Sequence, residues 1–191
     1  MTTVSIIGKG SMGQAIAKVV TDGGNVAELV GREEAGKPLA GDVVVLAVPY
    51  PAVADVLAAH REQLDGKVVV DITNPLNFET FDSLVVPADG SAAQVIAEKL
   101  PSSTVLKAFN TTFAGTLASG AVGPLTTTVL IAGDDSDAKA TLSGIVSAGG
   151  LKAVDAGALK RAREMEAVGF LQLTLAASER ISWTGGFGVA A

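Results

Sequence analysis

The sequence contains no cysteine, only one histidine (His60), and aromatic residues at just 4% of its 191 positions. Without cysteine there are no disulfides, no thiolate nucleophile and no Cys-based metal site, and the composition fits a reducing compartment. A lone histidine argues equally against a His-ligated metal centre and a Ser-His-Asp type of triad. Positive charge is scarce: 14 Lys and Arg stand against 20 Asp and Glu, a net charge of -6. The broad basic surface that nucleic acid requires is therefore missing. Long apolar runs are missing as well. The longest uncharged stretch, 108–133, is broken by Asn110, Pro124 and four glycines, so no membrane span is expected. The start of the chain shows no basic region ahead of an apolar run, so no signal peptide is expected either. These absences predict a cytoplasmic protein whose chemistry rests on backbone, hydroxyls, amides and a bound cofactor.

What is present is a chain that is 48% hydrophobic and holds 22 glycines, long enough for one domain with a sizeable core and too short for two full ones. Short Val- and Ile-rich runs predict strands at about 3–8, 26–31, 42–48, 67–73, 103–109 and 126–132, with a further short one near 151–155. Helical patterns occupy 11–22, 51–63, 91–100, 136–148 and 158–178, and Asp135 or Ser136 supplies a cap for the fourth of them. Runs such as Val43 to Val48 do not alternate polar with apolar, which implies strands buried on both faces. The expected architecture is an α/β, Rossmann-type, doubly wound parallel sheet in a single domain over 1–191, with 158–191 as a C-terminal helix and tail. The segment from Arg32 to Gly41 is short for a helical crossover, and 77–90 reads as a long loop of the kind that often carries function.

Gly8, Lys9, Gly10, Ser11, Met12 and Gly13 match the pattern G-x-G-x-x-G between a predicted strand and a predicted helix. Glycines there tighten the turn and let backbone approach a pyrophosphate, while free amides and the helix dipole hold the anion. At the end of the second strand, where an acid selecting NAD would stand, the chain has Gly31 and then Arg32. Arg32, with Lys37 nearby, suits a ribose 2'-phosphate, so NADP is favoured over NAD. The alternative is a solvated Arg32 paired with Glu33 or Glu34.

Later strand ends carry Ala47, Val48 and Pro49, then Asn74 and Pro75, then Ala108, Phe109 and Asn110. These offer space for a flat ring and neutral hydrogen-bonding groups, with no good proton-transfer group among them. Asp71 reads as either an acid/base residue or a buried acceptor of loop amides, and Lys107 as either an anion ligand or a strand-end cation. Trp183 either anchors the C-terminal tail or walls a ring pocket. His60 reads as a surface residue. No residue is assigned a catalytic role and no metal is expected.

Taken together, the segments 71–76, 100–101, 107–110, 132–135 and 154–166 occur in the order seen in NADPH-dependent coenzyme F420 reductases, which the chain resembles over nearly its whole length. It also resembles the oxidoreductase domain of the six-transmembrane metalloreductases. The resemblance implies NADP held by Gly8 to Gly13 and Arg32, with Ala47, Val48 and Pro49 along its ribose and nicotinamide. Asn74, Pro75, Ala108, Phe109 and Asn110 would lie near a second ring, either coenzyme F420 or a flavin (FMN or FAD). Hydride transfer between aligned rings needs little from the protein beyond positioning. In the family the second strand often ends in Ser-Arg, so Gly31 removes one hydroxyl ligand and predicts weaker NADP affinity. Competing readings are an NADPH-dependent flavin or metal-complex reductase, and a nucleotide-binding redox sensor without turnover. The last helix is apolar on more than one side, which predicts a homodimer.

Overall fold

The computed structural model describes residues 1–190. In chain order the elements are β1 (Thr3–Ile7), α1 (Ser11–Asp22), β2 (Val26–Val30), β3 (Val43–Leu46), α2 (Val53–Leu64), β4 (Val68–Asp71), α3 (Ala92–Lys99), β5 (Thr104–Ala108), α4 (Ala114–Ser119), β6 (Ala121–Val122), β7 (Leu125–Thr126), β8 (Thr128–Ala132), α5 (Ser136–Ala148), β9 (Lys152–Gly157) and α6 (Ala162–Ala177). Seven strands form one sheet in the order β2-β1-β3-β4-β5-β8-β9, and β6 pairs with β7 as a small separate hairpin.

Burial on both faces explains the unbroken apolar strands. Along β3, Val43 and Val45 join the core beneath α1 and α5, while Val44 and Leu46 join the core beneath α2 and α3. The two helix layers are thus wound on opposite faces, as a parallel sheet requires. Each helix contributes an apolar stripe at helical spacing: Ile16, Val19 and Val20 from α1, and Val53, Leu57 and Leu64 from α2. Asp135 caps α5 by accepting from the amides of Asp137 (2.9 Å) and Ala138 (2.8 Å), a contribution of about 1 kcal/mol.

The sheet departs from full parallel order at one edge. Strands β2, β1, β3, β4 and β5 run parallel, whereas β8 pairs antiparallel with β5 and carries β9 parallel to itself. Between these two strands lie α4 and the β6-β7 hairpin, and the antiparallel pairing means that the chain re-enters the sheet at the end where β5 leaves it.

Between β2 and β3 a 3-10 turn (Arg32–Glu34) leads into an extended segment that replaces a crossover helix. Leu39 from this segment enters the core, and the Gly41 amide donates to the Ser5 hydroxyl (2.9 Å), tying the segment's end beneath β1. The 77–90 segment folds back on itself: the Asn77 amide donates to the Ser83 carbonyl and the Val85 amide to the Pro75 carbonyl, both at 2.8 Å. No helix among the described residues is long and apolar enough to cross a membrane.

Candidate functional site

The glycine turn joins β1 to α1 and is shaped by two close approaches. Gly8 has φ +124°, and a Cβ there would collide with the Ala47 carbonyl oxygen. A Cβ on Gly13 would meet the Gly8 carbonyl oxygen. Both glycines are fixed by packing, one of strand on strand and one of helix on turn. Gly10 differs, because a Cβ there meets nothing within 4 Å. It is the N-cap of α1 and supplies no side-chain cap, and the first turn holds no acidic residue. The first amide taken up within the helix is that of Gln14, donated to the Gly10 carbonyl (3.0 Å), so the amides before it remain for an outside acceptor. Open space, free amides and the positive end of the helix dipole coincide at Gly10, which fits a pyrophosphate.

Two cavities flank this turn. The larger, about 670 Å³, is lined by Gly8, Lys9 and Gly10 of the turn, by Arg32 at the end of β2 and by one face of α2. The smaller, about 380 Å³, is lined by Ser11, Met12, Asn74, Asn110, Leu173 and Trp183 among others. Both volumes lie in the range of small-molecule sites, about 300–1,000 Å³.

Charge in the larger cavity is arranged unexpectedly. Lys9 pairs with Glu33 (2.8 Å) and Glu34 (2.6 Å), while Arg32 makes no ion pair among the described residues. Hydrogen bonding to Lys9, together with the Gly31 amide, lowers the Glu34 carboxyl to about 2. Arg32 is thus the open cation on the wall, and the alternative of an Arg32 paired with its neighbouring glutamates does not occur. Lys37 lies outside the cavity, exposed and 3.6 Å from Glu34.

In the smaller cavity the polar side chains are the amides of Asn74 and Asn110, the hydroxyls of Ser11 and Thr112 and the indole of Trp183. Asn110 Nδ2 donates to Asn74 Oδ1 (2.9 Å) and to the Met165 carbonyl (2.9 Å), and Asn74 Nδ2 donates to the Asn110 carbonyl (2.9 Å). Trp183 packs against Phe113 with ring centroids 5.1 Å apart and the planes tilted by 54°, and it is half exposed, so it both holds the tail against α4 and walls the cavity. No carboxylate, lysine or histidine lines this space.

Placement of the remaining expected residues is uneven. Val48 lines the larger cavity, Ala47 backs Gly8 through its carbonyl, and Pro49 is exposed. Ala108 and Phe109 lie inside the core and Pro75 is buried, so of that group only Asn74 and Asn110 reach the smaller cavity. Phe109 adopts φ +61°, which turns the chain sharply at the end of β5 and sends its ring inward.

Beneath this site lies a buried ionic cluster. Lys107 Nζ contacts Asp71 Oδ2 (2.8 Å), Glu166 Oε1 (2.8 Å) and the Thr73 carbonyl (2.5 Å), and all three charged side chains are fully buried. Asp71 also accepts the Thr73 amide (2.8 Å), and Glu166 accepts the Ala92 amide at the start of α3 (2.9 Å). Burial pushes the Glu166 carboxyl above its ordinary range, against the pull of Lys107. Asp71 and Lys107 are therefore structural, binding β4, β5, α3 and α6 together beneath the two asparagines.

His60 is not a surface residue: it is only 3% exposed and lines the larger cavity. Its position follows from helical spacing, since Val53, Leu57, His60 and Leu64 are the buried residues of α2. That spacing was the available signal, along with the neighbouring Ala52, Val56 and Ala59, which present the same side of the helix to the cavity.

A nucleotide-binding α/β fold with a second cavity beside its glycine turn defines a class of dinucleotide-dependent oxidoreductases, and comparison with known proteins narrows it. The family described as "NADP oxidoreductase coenzyme F420-dependent" matches residues 27–75. The F420-dependent NADP reductase of Methanocaldococcus jannaschii is 30% identical over 172 residues, covering 88% of this chain and 77% of the archaeal protein. The chain belongs to the F420-dependent NADP reductase family. The metalloreductase STEAP3 of Rattus norvegicus is 38% identical over 112 residues, but these make up only 22% of the rat protein. The crystal structure of a putative F420-dependent NADP reductase from Arthrobacter sp. FB24 superposes with a TM-score of 0.84 over the full length of both chains at 22% identity, which establishes the shared fold.

Proposed function

We propose that the protein transfers a hydride between NADP(H) and coenzyme F420, binding one on each side of the glycine turn. The observation that carries this reading is that a single turn, Gly8 to Met12, lines both cavities. A dinucleotide whose pyrophosphate rests at Gly10 then extends its adenylate half into the larger cavity and its nicotinamide toward the smaller one. Arg32 binds the 2'-phosphate, with Lys37 able to approach from outside, and Val48 borders the nucleotide on the side of the larger cavity. Asn74 and Asn110, locked to each other, orient the second ring by their amides, while Met12 and Trp183 shield it from water. When both are bound, the nicotinamide and the deazaflavin supply the redox chemistry themselves. The protein's contribution is alignment, consistent with a cavity that lacks ionisable side chains.

The protein is further proposed to work as a cytoplasmic homodimer. Val168 and Leu171 of α6 and Phe187 of the tail leave apolar surface exposed, which supports a subunit contact there. Lack of cysteine is in keeping with the cytoplasm. Comparing the affinities of NADPH and NADH for wild type and Arg32→Ala tests the nucleotide assignment. Arg32→Ala abolishes most of the preference for NADPH; an unchanged preference refutes it.

A further inference from the structure

A 2'-phosphate held at Arg32 fixes the ribose at that end of the larger cavity. The purine attached to that same ribose lies against the wall formed by Ala35, Val56, Ala59 and His60, in which Ala35 and Ala59 are exposed and His60 is buried. Three of these are apolar and suit the faces of a flat base. His60 is the exception, a side chain 97% removed from solvent that makes no hydrogen bond; Nδ1 is sealed within the protein, which leaves Nε2 as the nitrogen open to a ligand. Burial holds the ring's pKa below its ordinary value, so at neutral pH the imidazole is uncharged, with one donor and one acceptor nitrogen. A buried polar ring without a partner costs stability unless something at the site uses it. The other ionisable groups on this cavity, Lys9, Arg32, Glu33 and Asp55, are all exposed.

We infer that His60 is the specificity residue for the adenine base, its imidazole hydrogen-bonding a purine edge while Val56 and Ala59 cover a purine face. This rests on the reading of the larger cavity as the adenylate site. It assigns a ligand to the one polar side chain of that wall which folding alone leaves unused.

Because His60 is the chain's sole histidine, its ring protons are unambiguous in a proton NMR spectrum of the intact protein. Titration with 2',5'-ADP shifts them saturably, whereas nicotinamide mononucleotide, which lacks the purine, leaves them in place. His60→Phe keeps the ring volume without its nitrogens and weakens 2',5'-ADP about tenfold by calorimetry, the loss of roughly one hydrogen bond. His60→Gln, which restores a donor and an acceptor, recovers part of that loss. Binding of 2',5'-ADP without movement of the His60 resonances, or with equal affinity in His60→Phe, overturns the role of His60 while leaving the adenylate site intact. Failure of the wild type to bind 2',5'-ADP at all overturns the site and the His60 assignment together.

Discussion

Asn74 and Asn110, 36 residues apart in sequence, clasp each other by two hydrogen bonds of 2.9 Å across the ends of β4 and β5. Gly169 of α6 lies directly over them: a Cβ there would collide with Asn74 Oδ1 and approach the Asn110 carbonyl to 3.0 Å. Gly169→Ala therefore sets a helix-propensity gain of about 1 kcal/mol against an overpacking cost of about 1–3 kcal/mol. The steric cost prevails, lowering the denaturant midpoint and weakening binding of the second ring. Asn74→Ala in the same background relieves the worse contact and recovers part of the stability, measured by urea denaturation.

Lys107→Met leaves Asp71 and Glu166 buried without their cation. Removing one member of a buried ionic group costs about 3–5 kcal/mol. A shift of that size in chemical denaturation is expected, and a loss below about 1 kcal/mol would show that the cluster is not formed.

The glycines of the turn separate folding from binding. Gly8→Ala meets both a left-handed φ and the Ala47 carbonyl, so it destabilises the fold. Gly10→Ala has open space and an ordinary φ of -73°. As a change at the N-cap it costs the fold about 1 kcal/mol or less, while intruding where the pyrophosphate lies, so NADPH affinity falls at least about tenfold, or about 1.4 kcal/mol. Thermal melts and calorimetry on the two variants distinguish these outcomes.

The Lys9 pair gives a pH prediction. Glu34 titrates near 2, mainly through its hydrogen bond to Lys9. Its folded pKa lies below the unfolded value of about 4.5, so its stabilising contribution is present above 4.5 and is lost as pH falls toward 2. Lys9→Ala removes the first cause, and the Glu34 carboxyl, followed by carbon-detected NMR, moves back toward the ordinary carboxylate range. A Glu34 that still titrates near 2 in the variant contradicts the pairing.

Much of this was legible in local sequence. Val43 to Leu46 announces a strand buried on both faces, and the glycine turn declares its use by its place between β1 and α1. What escaped depends on distance and connection. The reversed direction of β8 is a matter of how the chain returns through α4 and the β6-β7 hairpin, which no residue type signals. A lysine in β5 reads as polar until Glu166, 59 residues away, is placed beside it. Ala108 and Phe109 resemble site residues by position, yet the left-handed turn at Phe109 sends the ring into the core. His60 read as a surface residue because it is polar, although it occupies a buried position of α2.

The central claim is that one turn aligns two redox rings. Mixing the purified protein with NADPH and oxidised coenzyme F420, with FMN and FAD as parallel acceptors, measures it directly by loss of the oxidised deazaflavin absorbance. Turnover with NADPH and F420, faster than with either flavin and much slower with NADH, is the predicted result. Tight NADPH binding with no oxidation of NADPH by F420 would contradict it.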